Sequence, residues 1–243
     1  TLCLSPSVNA GYKKLKERLA ASRSCVFGKP ERVETGVTQA LVRYSYEQTR
    51  AICNQMRMWS PPEIPGYRTK ILDGNHLSGT EHRLKEMRTE RAAALPGKSL
   101  VVLDPRCRAI QDMFPIEDGH AQERTGLDDV IETVQKMDLW IADRNFCTQK
   151  FLYAIDERMA AFIIRHHVNM VGKVIGRRRR IGETETGRVY ERTMTLNPYE
   201  GTELHLLRIE IDLYQPTRDG ETTVVLLTNL PAEIADAVLI AAI

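Results

Sequence analysis

A short apolar run at residues 139–142 is followed directly by an aspartate, Asp143, and lies between two segments with helical spacing. An almost wholly apolar run of this length is typical of a strand that is buried on both faces of a sheet. Apolar residues recur at helical intervals over 127–134, and a further helix is predicted over 149–159. Since α/β proteins commonly bind ligands at the carboxyl ends of such strands, the pattern places Asp143 at a candidate binding edge.

A second aspartate, Asp73, closes another predicted strand, residues 67–72, and begins a predicted turn with Gly74. Taken alone, an acid at a strand end is more often a turn or cap residue than a ligand. Two carboxylates about 4 Å apart would repel by roughly 4 kcal/mol at an effective dielectric constant of about 20, so such a pair needs a proton, a salt bridge or a bridging cation. Hard oxygen ligands without a nearby cluster of histidine and cysteine favour Mg²⁺ or Mn²⁺ over zinc.

The order of the predicted elements indicates an α/β fold with a mixed five-stranded sheet flanked by helices. The predicted strands of this sheet are 67–72, 99–103, 108–114, 139–142 and 161–165. The predicted helices around them lie over 80–93, over a segment ending at 137, and over 149–159.

Two regions are predicted along the chain. Residues 1–60 form an N-terminal helical region, with helices over 38–44 and 46–56, and the prolines after it mark a boundary. The second region, 67–243, contains a β-rich insertion at 168–228. Strands are predicted inside the insertion at 207–213 and 222–227, and a final helix starts at Pro231.

Composition limits the classes of function. The 243 residues are enough for one or two domains with a substantial core. The formal net charge is only +2, so nucleic-acid binding has to rest on local clusters of basic residues. No stretch is long and apolar enough to span a bilayer, and five scattered cysteines without a C-x-x-C motif suit a reducing cytosol. Because the chain starts without Met and stops inside a helix-like run, we expect it to be a fragment.

Three stretches resemble the DDE transposases of bacterial insertion sequences, in particular the branch typified by insertion sequence four. They are residues 67–77 (YRTKILDGNHL), 117–124 (EDGHAQER) and 140–146 (WIADRNF). The Asp-Arg-Asn-Phe stretch after a buried strand is the specific part, whereas Asp-Gly alone is a weak signal. The resemblance covers the chain from residue 67 onward and, more loosely, the N-terminal helices.

This resemblance implies a ribonuclease-H-like catalytic core with a β-rich insertion after the fifth strand. The implied reaction is metal-dependent DNA cleavage and strand transfer at transposon ends. Asp73 and Asp143 would be the first two acids of the catalytic triad and would bind Mg²⁺ or Mn²⁺. The implied partners are double-stranded DNA, as transposon ends and as target, and a second copy of the protein in a homodimer on DNA. The implied location is the bacterial cytoplasm, in association with the nucleoid.

The third acid of the family is a glutamate that follows the insertion, with tyrosine and arginine ahead of it. The sequence up to Ile243 does not contain that pattern, and Glu233 lies too early in the final predicted helix to fill the position. We interpret Glu233 as a charge at a helix N-terminus. The third acid is therefore expected beyond Ile243.

Basic residues supply the candidate DNA contacts. Arg144 follows Asp143 and would face whatever the metal binds. Five further candidates lie in the predicted insertion: Lys173, Arg177, Arg178, Arg179 and Arg180. They could bind backbone phosphates or belong to a solvated loop, and the sequence leaves both open. His120 lies in the second resembling stretch and has no predicted role.

Two other hypotheses compete with an active transposase core. A phosphatase of the haloacid-dehalogenase type would account for Asp104 at a strand end, but it requires an Asp-x-Asp pair that the sequence lacks. The alternative that stays open is a transposase-derived remnant that binds DNA without cutting it.

Overall fold

Nine strands form one sheet in the computed structural model, which describes residues 8–18, 22, 25, 35–76, 98–116 and 121–243. These strands are β1 (Arg68–His76), β2 (Lys98–Asp104), β3 (Ala109–Ile116), β4 (Asp138–Ala142), β5 (Ala161–Arg165), β6 (Gly172–Glu183), β7 (Gly187–Tyr199), β8 (Thr202–Leu213) and β9 (Thr223–Thr228). Their spatial order is β3-β2-β1-β4-β5-β9-β8-β7-β6. The pairs β1–β4 and β4–β5 are parallel, and the other neighbouring pairs are antiparallel. The described part of the chain is a mixed α/β structure.

Helices belong to both of the two units, Thr1–Leu41 and Val42–Ile243, into which the chain divides. The first unit contains α1 (Val8–Leu15) and the start of α2 (Thr35–Met56). The second contains the remainder of α2, then α3 (Leu127–Ile131), α4 (Gln149–Glu157) and α5 (Ala237–Ala242). None of the described helices combines the length and apolar character needed to cross a membrane.

α2 is one helix, so the prediction of separate helices over 38–44 and 46–56 was wrong. No glycine or proline interrupts the chain between Val37 and Met56, and the hydrogen-bonded helix therefore continues through Ser45. Tyr46 is buried, and its hydroxyl donates to Oδ2 of Asp104 at 2.7 Å. This contact fixes the second half of α2 to the end of β2.

The sheet is larger than the five strands predicted from the sequence. β9 lies antiparallel to β5, with Ile164 opposite Leu227, and β8, β7 and β6 follow outward from β9. Without β9, the outer side of β5 would expose unpaired backbone groups. The prediction was wrong because the strands of the presumed insertion continue the sheet from β5.

Alternate residues of the central strands pack into two hydrophobic clusters. Trp140 and Phe162 belong to one cluster, together with Phe151 of α4. The rings of Trp140 and Phe151 meet edge to face, with their centroids 6.0 Å apart. Leu139 and Ile163 belong to the other cluster, which includes Ala237 and Ile240 of α5. Both faces of β4 and β5 are therefore covered, which explains their nearly continuous apolar sequences.

β1 continues past the position where the sequence predicted a turn. Asp73 is opposite Val101 of β2, and the pairing of the two strands extends to His76 opposite Lys98. A Cβ at Gly74 would lie 2.5 Å from Cδ of Glu123, so the absence of a side chain here makes room for that carboxylate. Asp73 is consequently a strand residue rather than the first residue of a turn.

The remaining predicted elements differ at their ends or lie outside the described residues. α5 begins at Ala237 rather than at Pro231, because Asp236 caps it by accepting a hydrogen bond from the backbone N–H of Leu239 at 2.8 Å. α3 ends at Ile131, before the predicted end at residue 137. The helix predicted over 80–93 and His120 fall outside the part of the chain that the structure describes.

Asp138 provides a test of the parallel pairing between β1 and β4. Its fully buried carboxylate accepts from Nε of Arg68 at 2.9 Å and lies 2.7 Å from Nζ of Lys70, whose side chain is only 7% exposed. Replacing Asp138 by Asn leaves the Lys70 charge buried without a counterion. We expect D138N to lower the free energy of unfolding in urea by about 3 kcal/mol.

The matched control is D128N. Asp128 forms an ion pair with Lys150 at 2.6 Å, a distance similar to that in the buried pair, but its side chain is 68% exposed. Its removal is expected to cost much less than the removal of Asp138, because exposed ion pairs contribute little to stability. Replacing Lys70 by Met in the D138N background should restore part of the loss. Equal losses in D138N and D128N would contradict the role given to the buried pair.

Candidate functional site

The parallel pairing of β1 with β4 puts Asp73 and Asp143 at the same level of neighbouring strands. Leu72 is opposite Ala142, so the next residue along each strand is one of the two aspartates. Neighbouring strands lie about 4.8 Å apart, and equivalent positions of a parallel pair point to the same face. That face is the one on which Ile141 meets the cluster containing α5. The register thus places the two predicted acids directly after paired residues, at the same edge of the sheet.

Both carboxylates keep oxygen atoms available to a ligand. Asp73 is exposed, and its Oδ1 accepts a hydrogen bond from the Gly74 backbone N–H at 2.8 Å. The side chain of Asp143 is 48% exposed, and its Oδ1 lies 3.9 Å from Nη1 of Arg165, beyond hydrogen-bond distance.

These two side chains fit a hard divalent cation. Mg²⁺ is usually held by one or two carboxylates, with water and substrate phosphate as its other ligands. Among the described residues there is no group of three His, Cys, Asp or Glu side chains arranged to hold a metal. A cation at this place would therefore rely on Asp73, Asp143 and ligands from outside the described residues.

Two arginines beside Asp143 share one carboxylate, that of Glu221. Nη1 of Arg144 is 2.6 Å from Oε1 of Glu221, and its Nη2 is 3.2 Å from Oε2. Nη2 of Arg165 also donates to Oε2. The hydrogen bonds from Arg144, aided by the charge of Arg165, outweigh desolvation and hold the pKa of Glu221 below its ordinary value.

Sequence reasoning missed two members of this group. Arg165 lies at the end of a predicted strand, and Asp143 directly follows another. This similar position is the signal that could have identified Arg165. Glu221 follows a turn between two strands, and no feature of the sequence marks it as a neighbour of Asp143.

A pocket of about 380 Å³ opens beside Asp143. Asp143 and Arg165 are the charged side chains that line it, and Thr217 contributes a hydroxyl group. Ile240 and Ile243, from α5 and the residue after it, form part of the apolar wall. The end of α5 therefore lies close to the second predicted acid.

No protein-family model matches the sequence, and no curated protein matches it either. Among solved structures, the chain is similar to the transposase in a cryo-EM structure of a piggyBac transposase synaptic complex with hairpin DNA. The sequences are 12% identical, the TM-score is 0.40, and the match covers 97% of this chain and 50% of that one. The likeness is distant, and this chain spans about half the length of the piggyBac chain.

The five basic candidates on the predicted insertion lie on β6, one of the two edge strands of the sheet. The run is thus part of a strand, with a change of register between Ile175 and Arg179 where Gly176 adopts a φ of +80°. Lys173 and Arg177 are exposed and have no salt-bridge partner in the described part of the chain.

The other three arginines of the run are paired with acidic side chains of the sheet. Arg178 lies 2.8 Å from Glu210 and 2.6 Å from Asp212, Arg179 pairs with Glu191, and Arg180 lies 3.0 Å from Glu183. Arg178 also stacks on Tyr190, with its Cζ 3.6 Å from the ring centroid. These three side chains would have to exchange partners in order to bind phosphate, whereas Lys173 and Arg177 would not.

Glu210 is a buried carboxylate that organises this basic surface. Its Oε1 accepts from Nε of Arg192 at 3.0 Å and from Nε of Arg208 at 2.9 Å, and its Oε2 accepts from Nε of Arg178 at 2.8 Å. Burial raises the pKa of Glu210, but the hydrogen bonds from Arg192 and Arg208 outweigh it, so the pKa lies below its ordinary value of 4.5.

Replacing Glu210 by Gln leaves three arginines around a neutral group, and we expect it to lower the free energy of unfolding at pH 7 by about 3 kcal/mol. Because the pKa is lowered in the folded state, this stabilisation is present above about pH 4.5 and is lost as the pH falls through the folded-state pKa. The difference in the free energy of unfolding between wild type and E210Q should therefore shrink in urea titrations below about pH 4.5.

The control is E183Q, which removes an exposed partner of Arg180 and should cost less than about 1 kcal/mol. A difference between wild type and E210Q that persists unchanged at low pH would contradict this account.

Proposed function

We propose that this chain contains the catalytic core of a DDE-type DNA transposase, in which Asp73 and Asp143 are metal-binding acids. The observation that carries the proposal is their position at the same level of the parallel strands β1 and β4. These are the same two residues that the resemblance to bacterial insertion-sequence transposases marks as acids of the triad. Neither the register nor the resemblance alone would support the assignment as well as the two together.

The arrangement of the first five strands supports a ribonuclease-H-like core. β1, β2 and β3 form an antiparallel meander, and β4 and β5 then pair in parallel on the other side of β1. α4 connects β4 to β5. In this proposal the strands β6–β9 correspond to the β-rich insertion of the family, joined to the core through β9.

The protein's own residues would bind and orient the metal and the DNA backbone. Asp73 and Asp143 present hard oxygen ligands from adjacent strands, and Arg165 lies close enough to meet a phosphate held near Asp143. When bound, Mg²⁺ or Mn²⁺ ions would activate the attacking oxygen and stabilise the leaving oxygen in phosphoryl transfer. Because the strands are fixed by packing on both faces, the two carboxylates need little reorganisation to receive an ion.

Double-stranded DNA is the proposed substrate, as transposon ends and as target. Lys173 and Arg177 offer exposed cations on the outer strand, and backbone contacts of this kind do not depend on sequence. By the same resemblance, the protein is proposed to act as a homodimer on DNA in the bacterial cytoplasm.

The second candidate function is that of a transposase-derived protein that binds DNA without cutting it. It is favoured by the finding that no third carboxylate completes a ligand group with Asp73 and Asp143 among the described residues. Incubating the protein with supercoiled plasmid and Mg²⁺ separates the two candidates. Nicking that is lost in D143N supports the enzyme, whereas DNA binding without nicking supports the second candidate.

The metal site can be tested on the present chain through its stability. At a Mn²⁺ concentration of ten times the dissociation constant, binding to the folded state should add about 1.4 kcal/mol to the free energy of unfolding. We expect this stabilisation, at millimolar Mn²⁺, in wild type and in the exposed control D128N, and its loss in D73N and in D143N. Mn²⁺ stabilisation that survives in the D73N/D143N double variant would rule out the proposed site.

A further inference from the structure

Arg144 and Arg165 approach one another from different strands and meet at a single carboxylate. Arg144 follows β4, Arg165 ends β5, and both donate to Glu221, which lies in the connection between β8 and β9. Arg165 also lies 3.9 Å from Asp143. Two guanidinium groups, one carboxylate and a proposed metal-binding acid thus lie within one small region.

This arrangement suits a phosphodiester group as well as it suits Glu221. The guanidinium fork matches the oxygens of carboxylate and phosphate alike, and it can bind both of them through paired hydrogen bonds. Asp143 also lies near both arginines, so the two guanidinium groups face two carboxylates, and a phosphate would bind by replacing Glu221 rather than by adding to it. The two arginines therefore form an anion site whose present occupant is a side chain of the same protein.

Glu221 can leave this site without disturbing the sheet. Its backbone is held within a local turn, where its N–H donates to Oγ1 of Thr217 at 3.1 Å and its carbonyl oxygen accepts from the N–H of Thr217 at 2.9 Å. Its side chain is 31% exposed, compared with 35% for Arg144 and 26% for Arg165. Because partly exposed ion pairs contribute little to stability, the cluster is not required to hold the fold together.

We propose that Arg144 and Arg165 form a binding site for one backbone phosphate of DNA beside Asp143, and that Glu221 occupies this site in the free protein. The identity of the phosphate rests on the proposed function, whereas the anion site itself rests on the contacts of the three side chains. When DNA binds at this position, a backbone phosphate replaces the carboxylate of Glu221. Glu221 therefore weakens DNA binding. It also makes the affinity for DNA less dependent on salt than it would be if both arginines were free.

The test is the binding of a fluorescent 30-base-pair duplex, followed by anisotropy in EDTA between about 50 and 200 mM KCl. We expect E221Q to bind about tenfold more tightly than wild type at low salt, since the arginines lose the carboxylate to which both donate hydrogen bonds. One added phosphate contact should steepen the plot of log affinity against log salt by about 0.9. E203Q is the matched control, because it removes the same charge from an exposed position near the start of β8, and it should leave the slope unchanged.

Arginine variants separate a specific site from a general effect of charge. R144Q should weaken binding little in the wild-type background, where Glu221 competes for the site, and should cancel the gain in the E221Q background. The same non-additive pattern is expected for R165Q. Circular dichroism and urea unfolding of each variant establish that it is folded before its affinity is compared.

Three results would overturn the proposal. In the first, E221Q binds DNA with the same affinity and salt dependence as E203Q. In the second, the increase in DNA affinity persists in E221Q/R144Q/R165Q. In the third, inorganic phosphate abolishes this increase as effectively as unlabelled duplex that contains the same concentration of phosphate groups. The last result would make this a site for the free ion. Because EDTA removes metal from the assay, this test remains valid even if Mn²⁺ does not bind at Asp73 and Asp143. If E221Q binds DNA no more tightly than wild type while Mn²⁺ still stabilises the protein, the result counts against the anion site alone.

Discussion

The parallel pairing of β1 with β4 determines the positions of the charged groups at both ends of these two strands. At the start of the pair Arg68 is opposite Asp138, whose buried carboxylate also meets Lys70. At its end Leu72 is opposite Ala142, and the two aspartates follow. A slip of one residue would turn one aspartate to the opposite face and would leave the buried charges without their partners. The ion pairs at one end of the strands thus help to fix the register on which the other end depends.

The acidic end of these strands also contains arginines, so it is not simply negative. Arg144 and Arg165 lie near Asp143, and both donate hydrogen bonds to Glu221. In the proposed function, a cation would bind between the two carboxylates and a phosphate would bind against the arginines. Because the cation and the phosphate carry opposite charges, each would favour the binding of the other.

Local sequence patterns predicted the strands that carry the acids, because apolar runs such as 139–142 are buried on both faces in the structure. The size of the sheet could not be predicted in this way. The contact between Ile164 and Leu227 joins segments that are far apart in the sequence, and no local pattern indicates which strand covers β5. For the same reason Glu221 was missed, since its position beside Asp143 depends on the path of β8 and β9. The turn predicted at Asp73 was wrong because β2 provides partners for residues that would otherwise leave the sheet.

The most direct test of the proposed metal site is a crystal structure of the protein with Mn²⁺. Anomalous diffraction from crystals soaked in Mn²⁺ would locate the ion independently of any functional assay. The proposed metal site predicts an anomalous peak within coordination distance, about 2.2 Å, of carboxylate oxygens from both Asp73 and Asp143. A structure in which the two carboxylates point to opposite faces of the sheet, or in which Mn²⁺ binds elsewhere while both remain free, would contradict it.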